Sequence, residues 1–335
     1  MGEREGPAQS FRASLIGAAA VLALGLGACR PIHAPAATPQ AAVLKVGSQK
    51  GSIRALLEAS GALQGAPYRI EWSEFGAASP LLEAVADGAV DVGGVGDAPF
   101  VFAYAAGAPV QAIMAYRTGG STASSVAVIA PEASPIRTAK DLAGRKVATV
   151  RGSVGHYLLI RLLQANRVDP ASVRTIFLDP GASRGALSSG AVDAWSTWSP
   201  YVGYALLHDH DRMIADGQGL MSGIGFIAAN RRSINGKSAA LQDFARRLTR
   251  AFAWGRDHPD VWGTRIAAET GLPADVARDM ARRLAGRPAA MDGAVLAEER
   301  QTLAAYRSAG VITAAPDLDG AFAVQFNPAV QAAPT

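Results

Sequence analysis

Cysteine is almost absent from this chain of 335 residues, and the only one is Cys29. A single cysteine excludes an intrachain disulfide, so the fold must be stabilised by the core that a hydrophobic content of 49% provides. An excess of one charge is also missing, because 32 basic residues stand against 28 acidic ones without any block of lysine or arginine. The sequence therefore offers no electrostatic support for nucleic-acid binding.

Patterns typical of enzymes are scarce as well. The chain has no P-loop lysine motif, and the glycines of residues 93–96 lack the spacing of a dinucleotide fingerprint. Ser153 stands between Gly152 and Gly155, but this spacing is one residue short of a nucleophile elbow. The run His-Asp-His-Asp at 208–211 has metal ligands, yet such a run in a polar loop is more typical of a solvated turn. We therefore expect no catalytic activity, no cofactor and no metal site.

Residues 1–28 have the pattern of an export signal. Two arginines precede the apolar stretch 15–26, which is too short for a comfortable membrane span. The triplet Leu-Gly-Ala directly before Cys29 looks like a bacterial lipobox, so Cys29 is predicted to be the lipidated first residue of the mature chain. The alternative is cleavage by an ordinary signal peptidase, which would leave a spare thiol. Residues 29–42, rich in alanine and proline, are predicted to be a tether between membrane and domain.

The stretch 75–107 has the organisation of an anion site. Ser79 before Pro80 predicts an N-cap followed by a first helical position, and Gly88 predicts the end of that helix. A short apolar strand and a glycine-rich turn follow, and Asp97 begins the next helix. In an open α/β sheet such helix starts face one crevice, where their unpaired N–H groups favour an anion. The alternative is that Ser79 and Asp97 only cap their helices.

A weak internal repeat predicts two similar halves. Residues 84–91 are echoed by residues 186–193, and both copies have a helix, a glycine stop and a strand. Polar runs at 118–125 and 216–225 are interpreted as crossovers between two lobes. The predicted lobes are residues 43–122 with 223–335, and residues 123–222.

Short apolar or alternating runs predict further strands. These runs are residues 43–47, 68–72, 110–116, 126–130, 145–150, 213–215 and 226–229. After residue 229 the chain is predicted to be helical, with breaks at 271–273 and 286–288, because apolar residues such as Leu241, Phe244 and Leu248 recur at helical spacing.

Several short motifs resemble those of the aliphatic sulfonate-binding proteins of bacterial ABC importers, a group that neighbours the taurine, nitrate and thiamine-precursor binders. The motifs lie at residues 49–51, 74–75, 82–84, 96–99, 105–107, 152–156 and 193–201. The resemblance, which covers residues 43–312, implies an α/β fold of the two-lobed periplasmic binding type with two crossovers and a cleft that traps the ligand by hinge closure. It also implies sulfonate uptake for sulfur, a location in the periplasm or cell envelope, and an ABC permease and ATPase as partners.

The resemblance implies a set of substrate-binding residues. They are Gln49, Gly51, Asp97, Gly152, Ser153, His156, Trp195 and Trp198, to which the nearby hydroxyl of Ser79 is added. The chain departs from the family pattern at three places. Ala78-Ser79-Pro80 replaces the usual Gly-Pro-Gln, and Trp-Ser-Pro-Tyr at 198–201 replaces the usual Trp-Asp-Pro-Tyr. Phe100 stands where a second proline is common. The departures leave taurine, nitrate, a sulfate ester or a thiamine-precursor pyrimidine as alternative ligands, and a sensory lipoprotein as an alternative function.

Physical chemistry divides these residues into a head site and a tail site. A sulfonate is a fixed monoanion that needs several N–H and O–H donors, which the helix starts at 50–52, Ser79 and Ser153 would supply. Trp195, Trp198 and Phe100 are predicted to form an apolar wall for the tail, with core packing as the alternative for the tryptophans. His156 is predicted either to add a positive charge at mildly acid pH or to satisfy a backbone group at a helix start.

Overall fold

The computed structural model describes residues 42–118 and 125–327. The predicted export signal, the predicted lipid site Cys29 and nearly all of the predicted tether lie outside the described residues. Eleven strands form two mixed sheets. The first sheet contains β1 (Ala42–Gln49), β2 (Tyr68–Phe75), β3 (Val92–Gly96), β4 (Val110–Thr118), β10 (Ile224–Asn230) and β11 (Gly286–Ala289). The second contains β5 (Val126–Ala130), β6 (Lys146–Thr149), β7 (Arg174–Phe177), β8 (Ala194–Trp198) and β9 (Arg212–Asp216).

Helices follow most of the strands. They are α1 (Ile53–Ala59), α2 (Ala78–Asp87), α3 (Asp97–Ala105), α4 (Val154–Ala165), α5 (Pro180–Ser188), α6 (Tyr201–Leu207), α7 (Arg231–Gly236), α8 (Ser238–Asp257), α9 (Pro259–Thr270), α10 (Ala274–Leu284) and α11 (Gly293–Ser308). We call the first sheet with α1–α3 and α7–α11 lobe one, and the second sheet with α4–α6 lobe two. Among the described helices, none combines the length and the apolar character needed to cross a bilayer.

The two sheets have the same core arrangement. The strand order is β11-β4-β10-β3-β1-β2 in the first sheet and β7-β6-β8-β5-β9 in the second. In each sheet one strand, β1 or β6, pairs in parallel with two others, and the strand that enters after a crossover, β10 or β5, runs antiparallel beside them. Residues 119–124 of the first predicted crossover lie outside the described residues. Its first residue contacts the second crossover where the Thr118 N–H donates to the Gly223 carbonyl oxygen at 3.3 Å.

The central strands of each sheet are buried on both faces, which explains the apolar runs in the sequence. Along β10, Phe226 and Ala228 face the cluster formed with α2, α3 and α11, whereas Ile227 and Ala229 face the cluster formed with α1, α8 and α9. The same alternation occurs along β5 in lobe two. Because side chains alternate along a strand, each sheet supports helices on both sides and leaves its strand ends open.

The repeat predicted from the sequence is confirmed as α2–β3 in lobe one and α5–β8 in lobe two. Asp91 precedes β3, and its carboxylate accepts the Lys45 N–H of β1 at 2.8 Å. Asp193 precedes β8, and its carboxylate accepts the Lys146 N–H of β6 at the same distance. The repeated aspartate therefore ties each helix–strand turn to the central parallel strand of its sheet.

The segment after β10 contains a strand that the sequence did not predict, because residues 286–288 indicated only a break between helices. Residues Gly286–Ala289 form β11, which pairs antiparallel with β4 at the edge of the first sheet. Pro288 is tolerated there because an edge strand leaves one row of N–H positions unused. The short strand β7 was also not predicted, since its four residues are too few for a clear alternating pattern.

Candidate functional site

The carboxyl ends of the parallel strands in both lobes border one cavity of about 370 Å³, which we call the cleft. Lobe one lines the cleft with the segments that follow β1, β2 and β3, and lobe two with the segments that follow β6 and β8. Open α/β sheets bind ligands at this position, and the volume suits a small molecule.

Three helices of lobe one begin at the cleft, and the side chains of their N-cap residues accept no first-turn N–H. These N-cap residues are Ser52 for α1, Ala77 for α2 and Gly96 for α3. The Ser48 hydroxyl accepts one such N–H in α1 and the Asp97 carboxylate accepts one in α3, whereas α2 has no such acceptor among the described residues. First-turn N–H groups have no partner within their own helix, and a helix start carries a partial positive charge. The cleft is therefore bordered by donors that suit an anion.

Ser79 borders the cleft from the first turn of α2. The prediction that Ser79 is the N-cap is wrong, because Ala77 has the extended backbone of an N-cap (φ −154°) and the helix begins at Ala78. Pro80 did not mark the first helical position, since a missing N–H is tolerated anywhere in the first turn. The Ser79 hydroxyl thus remains at the cleft but caps no helix.

Asp97 borders the cleft yet is almost fully buried, with 2% of its surface exposed. One carboxylate oxygen accepts the Ala98 N–H at 2.6 Å, and the other accepts the Ser222 hydroxyl at 2.5 Å. Burial raises the pKa of Asp97, and the hydrogen bond from Ser222 opposes this shift. Asp97 therefore joins the start of α3 to the second crossover, and both of its oxygens already have donors.

Gln49 and Lys50 border the cleft after β1, whereas Gly51 does not. The Gln49 side-chain amide donates to the Gly94 carbonyl oxygen at 3.1 Å, which fixes its position beside β3. Gly51 has φ +76°, and a Cβ there would lie 2.9 Å from Ile266 of α9. Gly51 thus shapes the turn and lets α9 approach. Lys50, predicted only as part of a helix start, supplies a cation at the cleft.

Ser153 borders the cleft and is the N-cap of α4, where its hydroxyl oxygen accepts the His156 N–H at 3.1 Å. His156 is buried beside the cleft, and its Nδ1 accepts the Gly152 N–H at 3.2 Å. Burial lowers the pKa of His156 to about 4, and the nearby charge of Arg151 adds to this shift. His156 is therefore neutral at mildly acid pH and satisfies a backbone group, which is the second of its two predicted roles.

The two tryptophans of β8 have different surroundings. Trp198 borders the cleft, and its ring contacts that of Tyr201 edge-on with centroids 5.9 Å apart. Trp195 is 1% exposed and lies in the core of lobe two. Phe100 is equally buried in lobe one, where it packs on Phe226. Residues three apart on a strand point to opposite faces, so Trp195 and Trp198 do not share a wall, and the predicted wall keeps only Trp198.

A further apolar wall was missed by the sequence analysis. It consists of Tyr116 from β4 and of Leu272, Met280 and Leu284 from the α9–α10 region. The Tyr116 ring lies close to Gly225, where a Cβ would come within 2.4 Å of the ring. Met280 and Leu284 are spaced i, i+4, which predicts a buried helix face without indicating what the face contacts.

Small residues allow the lobes to approach each other closely around the cleft. A Cβ at Gly96 of lobe one would lie 2.6 Å from Val154 of lobe two. A Cβ at Gly152 of lobe two would lie 2.7 Å from the Phe102 ring of lobe one. Two helix starts that border the cleft thus depend on glycine for the contact between lobes.

Polar contacts join the lobes on two sides of the cleft. The Tyr306 hydroxyl of α11 donates to the Ser153 carbonyl oxygen at 3.2 Å. Beyond α6, His208 Nε2 lies 3.1 Å from the Asp275 carboxylate of α10. Asp209, the neighbour of His208 in the 208–211 run, forms an ion pair with Arg184 of lobe two. No group of at least three metal-ligating side chains occurs in the part of the chain that the structure describes.

Two mixed α/β lobes, two crossovers and a ligand-sized cleft between them define the periplasmic binding protein fold. Residues 74–261 match the model of the family described as NMT1/THI5 like. The chain belongs to this family.

Individual relatives agree with this assignment. The chain is 35% identical over 246 residues to a putative aliphatic sulfonates-binding protein of Escherichia coli (strain K12), and the match covers 72% of this chain and 76% of that protein. The structure is similar to the periplasmic aliphatic sulphonate binding protein SsuA from Escherichia coli, with a TM-score of 0.72, 29% identity and coverage of 87% and 92%. It is also similar to the alkanesulfonate-binding protein SsuA from Xanthomonas axonopodis pv. citri bound to MOPS, with a TM-score of 0.75, 28% identity and coverage of 84% and 96%. These relatives are binding proteins.

Proposed function

We propose that this protein is the extracytoplasmic substrate-binding component of an ABC importer and that it binds aliphatic sulfonates for sulfur uptake. The observation that carries the proposal is the cleft, in which helix starts of lobe one lie beside aromatic and aliphatic side chains. The names of the relatives agree with it.

The head site would be formed mainly by uncharged N–H and O–H donors, with the Lys50 ammonium as the one cation among the described residues that line the cleft. The first turn of α2 with Ser79, the turn at Lys50 and the Ser153 hydroxyl all border the cleft. Among the described residues that line it, none is arginine. A sulfonate keeps its charge at every physiological pH, so N–H and O–H donors can solvate it without the desolvation cost of a deeply buried counter-ion.

The tail site would be formed by Trp198 and Tyr201 from lobe two and by Met280 and Leu284 from lobe one. Apolar area removed from water contributes roughly 25 cal/mol per Å², so a longer alkyl tail is expected to bind more tightly until the cleft is full. The proposed role of Trp198 therefore differs from that of Ser153.

Contacts from both lobes give a physical reason for closure on the ligand. Donors at Ser79 belong to lobe one and the Ser153 hydroxyl belongs to lobe two, so a ligand that bridges them favours the closed state. We propose lobe boundaries at residues 43–122 with 223–335, and 123–222. The strand memberships on either side of the two crossovers support these boundaries.

We propose an envelope location with residues 1–28 as a signal, Cys29 as a lipid anchor and residues 29–42 as a tether, next to a cognate permease and ATPase. The sequence before Cys29 supports the anchor, and the periplasmic location of a relative supports the compartment. Replacing Cys29 with alanine tests the anchor. The variant is expected to leave the membrane fraction and to lack lipid by mass spectrometry; lipid retained on the variant would contradict the anchor.

We propose that the protein is not an enzyme. Ser153 and His156 are the nearest approach to a nucleophile and base in the cleft region, but the His156 ring accepts the Gly152 N–H and only its backbone contacts the Ser153 hydroxyl. A hydrolase or phosphatase activity that Ser153→Ala abolishes would contradict this proposal.

A thermal-shift screen tests the binding function. The ligands are alkanesulfonates of increasing length, with taurine, nitrate, sulfate esters and pyrimidines as the alternatives. A ligand at a hundredfold excess over its Kd stabilises the folded state by about 2.7 kcal/mol. Alkanesulfonates are expected to raise the melting temperature most. A larger shift with another ligand class would reassign the substrate, and no shift with any ligand would favour a sensory lipoprotein.

A further inference from the structure

Ser199 has a buried hydroxyl that the fold does not use. The residue borders the cleft directly after Trp198 and is 6% exposed. Its backbone N–H donates to the Ser125 carbonyl oxygen at 2.7 Å, which holds the segment in place. The hydroxyl oxygen is buried without a hydrogen-bond partner among the described residues. An unpaired buried hydroxyl is unfavourable, so a ligand group that pairs with it gains affinity.

Two charged residues occur among the described residues that line the cleft, and neither presents an open carboxylate to a cation on the ligand, since Asp97 is almost fully buried. Lys50 carries a positive charge itself. Asp97 already accepts a hydrogen bond at each carboxylate oxygen. A ligand whose tail ends in an ammonium group would lose hydration next to Trp198 and Tyr201 without gaining a free carboxylate.

We propose that Ser199 determines the tail specificity of the cleft. Its hydroxyl pairs with an uncharged polar group such as a hydroxyl on the tail, and the lack of a free carboxylate rejects a tail ammonium. The ligand class is then alkanesulfonates with uncharged tails, hydroxyalkanesulfonates above all. This inference rests on the proposed sulfonate-binding function.

Three ligands of nearly equal size test it by calorimetry on the full chain: 3-hydroxypropanesulfonate, 1-butanesulfonate and 3-aminopropanesulfonate. They differ only in a terminal hydroxyl, methyl or ammonium group. We expect the hydroxyl ligand to bind at least as tightly as the methyl ligand, and the ammonium ligand to bind more than about tenfold more weakly than both.

Two variants separate the parts of the proposal. Ser199→Ala is expected to weaken the hydroxyl ligand by about tenfold relative to the methyl ligand, while the ammonium ligand stays weak. Ser199→Asp is expected to reverse the order in favour of the ammonium ligand. Thr197→Val is the control, because the Thr197 hydroxyl is also buried without a partner among the described residues but does not border the cleft. It is expected to leave all three affinities unchanged.

The outcomes distinguish this inference from the function beneath it. Equal affinities for the three ligands, or a preference for the ammonium ligand, in the unmodified protein would overturn the tail specificity while leaving sulfonate binding intact. An unchanged ratio of hydroxyl to methyl ligand in Ser199→Ala would overturn the role of Ser199. If Ser199→Asp does not fold, the unmodified protein and Ser199→Ala still decide the proposal. No binding of any of the three sulfonates would overturn the proposed function together with the inference.

Discussion

The two copies of the helix–strand repeat share the hydrogen bonds of the turn and differ in what surrounds the aspartate side chain. Asp91 and Asp193 each accept the N–H of the central strand of their sheet. Asp91 is buried and also accepts from the Ser233 hydroxyl and from the Lys237 ammonium, each at 2.6 Å. Asp193 is partly exposed and has one distant ion pair, with Arg145 at 3.8 Å. In lobe two the aspartate thus contacts only its own turn and sheet. In lobe one the aspartate also binds the segment that follows β10.

The largest effect on stability is expected from removing the aspartate of the first repeat. Asp91→Ala removes three hydrogen bonds and leaves a buried hydroxyl and an ammonium without their partner, so we expect the free energy of unfolding to fall by about 3–5 kcal/mol. Asp193→Ala is its matched control and should cost no more than about 1 kcal/mol, because its ion pair is exposed to solvent. Urea denaturation of both variants measures the difference. Equal losses would mean that the connection to the C-terminal part adds nothing.

Acid is expected to destabilise the protein through lobe two, since His156 is buried and neutral there. Its folded-state pKa of about 4 lies below the ordinary value of 6.5, so the folded state binds fewer protons than the unfolded state. Stability is therefore lost as the pH falls from about 6.5 to 4, by about 3 kcal/mol in total. His156→Gln should remove most of this loss in denaturation measured at several pH values. A slope that persists in the variant would assign the acid sensitivity to another group.

A smaller effect is expected where the lobes meet. Gly152 and Gly190 both belong to lobe two and both have positive φ, +71° and +75°, but only Gly152 would bring a Cβ against Phe102 of lobe one. Replacing either with alanine should lower stability by about 1 kcal/mol through backbone strain. Gly152→Ala should in addition weaken the binding of 1-butanesulfonate by about 1–2 kcal/mol, because the closed state is obstructed. Gly190→Ala should leave the affinity unchanged, and an equal loss of affinity in both variants would contradict the role of the lobe contact.

The smallest effect is expected at Trp198, where a variant should change the affinity for a long ligand more than that for a short one. Trp198→Ala should weaken long-tailed sulfonates by about 1–2 kcal/mol and methanesulfonate very little, since only a long tail reaches the wall. Trp195→Phe is the control, because Trp195 lies in the core and not at the cleft. Calorimetry with both ligands gives the answer. Equal losses for short and long tails on Trp198→Ala would end the division into head and tail sites.

The sequence predicted the parts of this comparison that depend on local pattern. Glycine after an apolar helix, followed by an apolar strand, was enough to predict both copies of the repeat, and the two crossovers followed from polar runs between strands. Ser153 was predicted at a helix start because an N-cap has a local signature. The repeat itself predicted two lobes, and the resemblance to a family implied the same arrangement.

What could not be predicted depends on contacts between distant residues. The aspartates of the repeat look alike in sequence, and only the packing of the segment after β10 buries Asp91. Tyr116 and Met280 reach the cleft from elements far apart along the chain. Trp195 was wrongly expected at the cleft because a motif gives spacing without direction. In each case tertiary packing, not local pattern, determines what the side chain contacts.

Calorimetric titration of the full chain tests most directly whether the cleft binds the anionic head of a sulfonate. The ligands are 1-butanesulfonate and its neutral counterpart, 1-butanesulfonamide. The two ligands share the tail and differ in the charge of the head, so their difference isolates the donors that border the cleft. We expect one sulfonate bound per chain and a sulfonamide affinity lower by about a hundredfold or more, because a charged head forms stronger hydrogen bonds than a neutral one. No binding of the sulfonate, or equal affinity for the two ligands, would contradict it.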